Sequence, residues 1–554
     1  MKTKYLLAAI ATMPMFFSFT ANAQEEEEKQ QKKGYLTGNF ETNSIWYQSN
    51  DKATGAEAPD DKFGSNNYLK LDYYRGKFSA GIQLEGYLPV LQNFPTELKG
   101  IDLTNYYVTW QDERFNVTAG TFYDQFGSGL LFRSWEDRTL GLNNAVMGAR
   151  FSYNFKNIVA VKAIWGMPRF GMKFSDTQVR GVDLSFSISE LAKLQDITLS
   201  VEGSMLSRYE AISDDLKAEG GKPNNEGWSG RVNFETHGFS AKLEYVDAGK
   251  KYFSNPMISS ESPNYFLQKH GNAQLVELGY NNKGLGISVI GRRLEWMESK
   301  ITGGSNSTSN LLNYLPGICT QYTYMLTTLC PYNTQTGLMT SAYTNSGEIG
   351  GQIDAFYNFR RGTKLGGKRG MRIHANFSTY YALQGEGSAK AGNLLFRDFS
   401  VDIEKQFTRK YKLALLYSMQ EFNHDYGKTA NTTLSHIIVA DMLYKFTPMF
   451  STRLELQYLH TKEYATVYSN EKGDWMAALL EANFAPSWSV WGSWMLNHGG
   501  TKVNYFNVGV SYAVSRTRIA IGYGRNKAGY LCSGGVCRPI DAYTGANFQI
   551  TTSF

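Results

Sequence analysis

Proline, cysteine and long apolar runs are all scarce in this chain, and each shortage removes a class of protein. Only 13 prolines occur in 554 residues. Proline cannot donate to a strand ladder, so its rarity leaves room for an unusually large share of strand. Beyond the N-terminus, no segment offers the roughly 18 uncharged apolar residues that a membrane-crossing helix needs, which excludes a helical membrane protein. Charge of one sign is also lacking. The formal net charge is +6, with Lys2 and Lys4 supplying two of those charges, so nothing implies a nucleic-acid partner. The seven histidines never fall in a His-Glu-x-x-His spacing, and no metal or cofactor is expected. His424-Asp425 is similar to the acid–His pairs of barrel proteases, but no second Asp pair accompanies it. The chain is therefore not expected to be an enzyme.

Aromatic residues and glycine are plentiful: 36 Tyr, 33 Phe and 54 Gly. A transmembrane barrel accounts for this mixture, because aromatics collect at both membrane interfaces while polar residues line the interior. The N-terminus supports export. Lys2 and Lys4 form a positive region, Tyr5 to Thr20 an apolar one, and Ala21-Asn22-Ala23 a small–x–small cleavage site. Residues 1–23 thus read as a signal peptide and 24–34 as a short polar periplasmic tether. No cysteine lies near the site, so no lipid anchor is expected there.

From Tyr35 to Phe554 the pattern alternates with period two. Phe239, Ala241, Leu243 and Tyr245 alternate with Ser240, Lys242 and Glu244, and Leu454, Leu456 and Tyr458 with Arg453, Glu455 and Gln457. A soluble sandwich alternates in the same way. Length and connection pattern separate the two. These strands run about 9–13 residues, enough to cross a bilayer at a tilt. Their connections also sort by parity. Short ones such as Arg75-Gly76, His237-Gly238 and Ser515-Arg516 alternate with long ones such as Tyr123–Asn144 and Lys300–Ser346. Short periplasmic turns facing long extracellular loops mark outer-membrane barrels. The expected fold is all-β: a transmembrane antiparallel up-and-down β-barrel over residues 35–554, with about 24 strands in a range of about 20–26. Side chains cannot fill so wide an interior, so the lumen must hold water, an inserted loop or another protein.

The last strand carries a further mark. Gly545, Phe548, Ile550 and the terminal Phe554 match the insertion signal of outer-membrane barrels, which implies outer-membrane lipid and the barrel-assembly machinery as partners. The four cysteines form two close pairs in long-side connections, and in an exported chain Cys319–Cys330 and Cys532–Cys537 are the expected disulfides. Arg361, Lys364 and Lys368, in the basic connection Arg360–Gly370, face periplasmic solvent or anionic headgroups.

The stretch Tyr123–Asn144 is too apolar for a freely solvated loop, because Phe126, Leu130, Leu131, Phe132, Trp135 and Leu140 need burial. Gly127 and Gly129 allow tight turns, while Arg133, Glu136, Asp137 and Arg138 are charged. One reading folds this loop into the lumen as a constriction whose opposed charges select permeants. The other packs it under the rim with its charges paired to one another.

Phe126-Gly-Ser-Gly-Leu130, Arg133, Glu136-Asp-Arg138 and Gly141-Leu-Asn-Asn144 together resemble an uncharacterised family of porin-like outer-membrane proteins of Bacteroidota. That resemblance implies an architecture and a location, and no substrate. Two functions stay open: a porin-like channel for passive passage of small hydrophilic solutes, or a structural barrel serving as scaffold for surface loops, a lipoprotein partner or a secretion complex.

Overall fold

The computed structural model describes residues 33–49, 57–218, 220–254, 266–301, 311–315, 317–329, 347–425, 427–461, 473–533 and 536–554. The expected signal peptide, all but the last two residues of the tether, and Cys330 lie outside them. Twenty-four antiparallel strands, from Tyr35–Gln48 to Tyr543–Ser553, form one closed barrel. Each strand pairs with its sequence neighbour, and the last pairs with the first from Asn39 opposite Ser553 to Gln48 opposite Thr544. Gly38 and Phe554 complete the seam with reciprocal backbone hydrogen bonds of 2.8 and 2.9 Å. Closure leaves no strand with a row of unpaired N–H and C=O groups, the condition a sheet must meet in lipid.

The alternation read from sequence becomes an inversion of ordinary burial. Leu243 is 51% exposed on the outer face and its neighbour Glu244 only 4% on the inner one; Leu456 and Glu455 repeat the contrast at 47% and 4%. Phe548 and Ile550 of the last strand share the outer face with their cross-strand partners Ser44 and Thr42, which are buried between neighbouring side chains. An apolar outer face with polar groups turned inward suits a barrel bathed in lipid. Aromatic rings gather at both ends. Phe446–Phe450, Phe450–Phe484 and Trp488–Tyr512 lie 5.1, 4.8 and 4.7 Å apart at the short-turn end. Trp228–Tyr245, at 5.3 Å, sits at the other.

The connections sort as expected. One end carries turns such as 76–77, 237–238 and 515–516, and the other carries 88–99, 123–145 and 296–346. The exceptions at the short end are 360–370 and a connection containing the helix Ile188–Ala192, which Ser187 caps by accepting from the Glu190 amide.

Placing a cation on the outer face tests this polarity. Leu243→Arg is expected to cost about 2–4 kcal/mol of barrel stability, read as a shift in the urea midpoint of protein folded into liposomes. Inward-facing Lys412, which bridges half-exposed Glu404 at 2.7 Å, behaves differently: Lys412→Gln is expected to cost less than about 1 kcal/mol.

Candidate constriction at the loop end of the barrel

The connection 123–145 folds into the barrel as two miniature hairpins, Gln125–Phe126 with Phe132–Arg133 and Glu136–Asp137 with Leu142–Asn143. Its apolar side chains meet an unusual stretch of inner wall. Phe126, Leu130, Leu131 and Phe132 are buried against Ile164, Val179, Leu206 and Val246 from the strands, and against Met297, Leu312 and Leu315 from the largest connection. Gly181 and Gly227 on the wall make the room: a side chain at the first would strike Phe126, and at the second Leu131. Gly127 adopts φ +55°, where an added side chain would run into Glu244 and Arg231. Gly129 adopts φ +96° and passes close to the Tyr314 carbonyl.

Charged wall residues anchor the loop. Asp124 accepts from Arg150 at 2.5 Å and from Lys162 at 3.0 Å, and Lys162 also donates to the Gln125 carbonyl at 2.8 Å. Glu244 takes the Ser128 amide at 3.2 Å. Deeper in the wall, Arg231 bridges Asp183 and Glu202. Near the loop end Arg169 and Glu85 form a two-pronged pair at 2.8 and 2.7 Å, with 0% and 1% of their side chains exposed. Such a buried pair is tolerable only because its remaining groups are also bonded: Arg169 donates to the Gly171 carbonyl, and Glu85 accepts from Gln83 and Thr104.

The loop is not alone in the lumen. The expectation of one inserted segment is too small, because two described pieces of the largest connection enter as well. Asn313 donates to the Leu130 and Met297 carbonyls at 2.9 and 2.8 Å, and the Arg133 amide reaches the Leu312 carbonyl at 3.0 Å. Further along, the Tyr322 hydroxyl donates to Asp402 at 2.9 Å, that of Tyr324 to Asp441 at 3.2 Å, and Leu326 packs against Ile437, Leu459 and Trp475. Residues 317–329 thus reach wall strands far from those beneath 123–145.

The charged candidates separate into two kinds. Arg138 spans from loop to wall, donating to Glu41 at 2.8 Å and Glu136 at 3.1 Å while its guanidinium lies 4.4 Å from the Tyr68 ring centre. Burial works to lower its pKa, but Glu136 and Glu41 outweigh that and hold it above the ordinary arginine value. Arg133 lies 4.6 Å from the Tyr314 ring centre, which stacks on Trp135 at 4.8 Å. Burial pulls its pKa down, with Tyr314 opposing, and no described carboxylate forms an ion pair with it. Asp137 accepts from the Leu140 amide at 3.0 Å and shapes the second hairpin.

Cys532 and Cys537 form the expected disulfide; the pairing of Cys319 with Cys330 falls outside the described residues. His424 bonds Thr433, and Asp425 bonds Thr429. Sequence reasoning missed the wall half of the site, Glu41, Glu85, Arg150, Arg169, Arg231 and Glu244, and the loop's own Asp124. Each sits in or beside a polar-in strand, and only the closed barrel reveals which of them meet.

A closed antiparallel barrel with an apolar exterior and loops folded into a polar lumen defines the class of transmembrane β-barrels. A model of the family of unknown function DUF6029 matches residues 1–554, and the chain belongs to that family. No curated protein matches it in sequence. Among solved structures, it is similar to the siderophore receptor PirA from Pseudomonas aeruginosa (10% identity, TM-score 0.41, covering 94% of this chain and 80% of that one). The P pilus usher (PapC) translocation pore matches at 9% identity and TM-score 0.42, covering 94% of this chain and 99% of that one. The outer membrane protein OpdK from Pseudomonas aeruginosa matches at 9% and 0.33, covering 72% and 97%.

Packing of the loop into the wall is open to direct test. Phe126→Ala is expected to cost about 3–5 kcal/mol locally and to release 123–145. The folded barrel should persist while proteinase K cleaves within that segment far faster than in the parent protein.

Proposed function

We propose that this chain is an outer-membrane channel through which small hydrophilic solutes pass passively, past a constriction formed by 123–145. The observation that carries this reading is the wall of the short-turn half. There Lys70, Arg372, Glu404, Lys412 and Arg518 turn inward and remain accessible to water, in a barrel too wide for side chains to fill. A water-filled lumen of mixed charge that narrows toward one end is the geometry of a selective pore. The outward Phe548, Ile550 and Phe554 support insertion by the barrel-assembly machinery.

One observation favours a second reading. Residues 296–301 and 311–315 occupy the loop half of the lumen together with 123–145, and Tyr322 and Tyr324 of 317–329 reach on toward the short-turn end, bonding Asp402 and Asp441, as they would in a structural barrel that displays surface loops or holds a lipoprotein partner.

Planar-bilayer recording separates the two. The channel reading expects discrete conductance steps from the purified protein, and deletion of 123–145 should enlarge them. A preparation verified as folded that inserts without any steps would leave the scaffold reading.

Ion selectivity tests the constriction. Arg133→Ala removes a cation that has no described carboxylate partner, and Arg138→Ala leaves Glu41 and Glu136 uncompensated. Both variants should move the reversal potential in a salt gradient toward cation preference, Arg138→Ala more strongly. If neither variant moves it, the constriction lies elsewhere.

A further inference from the structure

A pocket of about 450 Å³ lies on the lumen side of the seam where the first and last strands meet. Three connections complete it: 88–99, 123–145 and 527–542. They are fastened to each other before any ligand arrives. Asn93 donates to Asp541 at 2.7 Å and takes the Asp541 amide in return at 2.8 Å. The hairpin of Gly529–Ser533 and Val536–Ile540 is tied by Cys532–Cys537. Preorganisation of this kind lowers the entropy lost when a ligand binds.

The lining has three distinct chemistries. The first is a cation. Arg538 lies 4.0 Å from the Phe94 ring centre and, among the described residues, donates only to backbone carbonyls, of Asn93 at 3.1 Å and Thr139 at 3.4 Å. No described carboxylate forms an ion pair with it, and burial pushes its pKa down to about 10, which still leaves it charged at neutral pH. The other arginine of the pocket, Arg138, is already held by Glu41 and Glu136. The second chemistry is amide. Asn43 Oδ1 and Gln92 Oε1 are buried and have no hydrogen-bond partner, although both side chains line this pocket. Oxygen and nitrogen of an amide exchange by a simple flip, so the end of each amide that faces the pocket can present either group to a hydroxyl. The third is aromatic: Tyr47 and Tyr543 lie edge to face at 5.6 Å, and both line the pocket.

A buried guanidinium without an ion-pair partner, opposed only by the more distant charge of Asp137, calls for an anion, and its planar fork matches a carboxylate. Unpartnered buried amides call for neutral hydroxyls, since each otherwise forfeits its hydration. Aromatic rings pack against the C–H faces of a ring. We propose that this pocket binds a sugar acid, a hydroxylated ring bearing one carboxylate, with Arg538 taking the carboxylate and Asn43 and Gln92 the hydroxyls. The proposal deepens the channel reading by naming a solute class, yet binding can be measured without transport.

The test is calorimetric titration of the folded full-length mature protein in detergent with glucuronate, glucose and acetate. Glucuronate should bind about tenfold or more tightly than either of the others, because each lacks one of the two recognition elements. Arg538→Gln should bring glucuronate down to the affinity of glucose, and Arg538→Lys should restore part of the difference. Asn43→Ala should weaken glucuronate and glucose together. Lys390→Gln, a change on an exposed loop, should bind as the parent does. Equal binding of glucose and glucuronate, or of acetate and glucuronate, overturns the proposal. So does an Arg538→Gln variant that is folded and binds glucuronate unchanged, or parent protein that binds none at millimolar concentration. Binding without conductance would keep this site and remove the channel.

Discussion

Everything in this molecule depends on one constraint: a backbone immersed in lipid has no water to bond with, so every strand must have a partner on both sides. The register of Asn39–Gln48 against Thr544–Ser553 is where that requirement is met or lost. Without the seam, two strands would present open edges to the bilayer. Once the sheet is closed, the period-two alternation has only one stable assignment. Leu243, Val508 and Ile521 face outward, and Glu244, Glu455 and Asp441 face inward, because the reverse would put several carboxylates into hydrocarbon.

Closure at 24 strands creates a second problem, since the lumen is wider than side chains can span. The chain answers it unevenly. In the short-turn half the wall stays polar, with Arg372, Lys412 and Arg518 open to solvent and Asp402 and Asp441 met by Tyr322 and Tyr324. In the loop half, the inward positions change character, with Ile164, Val179, Leu206 and Val246 apolar and Gly181 and Gly227 reduced to hydrogen. These positions are apolar because loop, not water, covers them. A local reversal of the polar-in rule is therefore the imprint of a plugging segment on the barrel that receives it. Charges that remain there are tightly bonded, Arg169 to Glu85 and Lys251 to the Met297 and Glu298 carbonyls.

That reversal explains what the sequence made legible. The barrel and the alternation of short and long connections were readable because each depends on residues close in the chain. Burial of 123–145 was readable as well, from Phe126, Leu130, Leu131 and Phe132 standing where a solvated loop has no use for them. The large connection carries a similar signal that sequence reasoning did not use: Leu311, Leu312, Tyr314 and Leu315 stand close together, as do Tyr324, Met325 and Leu326. The surfaces that bury them belong to strands far away in sequence. The partners of the charged loop residues were equally hidden. Nothing local links Arg138 to Glu41, or Arg169 to Glu85, which lies 84 residues away.

The same logic bears on the direction of selectivity. A charge whose counter-ion is fixed beside it contributes little field to a passing solute, whereas an uncompensated one acts at full strength in a narrow, partly dry passage. Most charges at the loop end fall in the first group: Arg138 with Glu41 and Glu136, Asp124 with Arg150 and Lys162, Arg231 with Asp183 and Glu202. Arg133 and Arg538 fall in the second, and both are cations seated on aromatic rings. Their burial in loops rather than strands means that rearrangement of 123–145 or of the disulfide-tied hairpin would move them without disturbing the barrel. On the proposed channel reading, the wall sets what can fit, and two loop-borne guanidiniums set which sign of charge is favoured. Those two functions are separable because only the wall is bound by the requirement of closure.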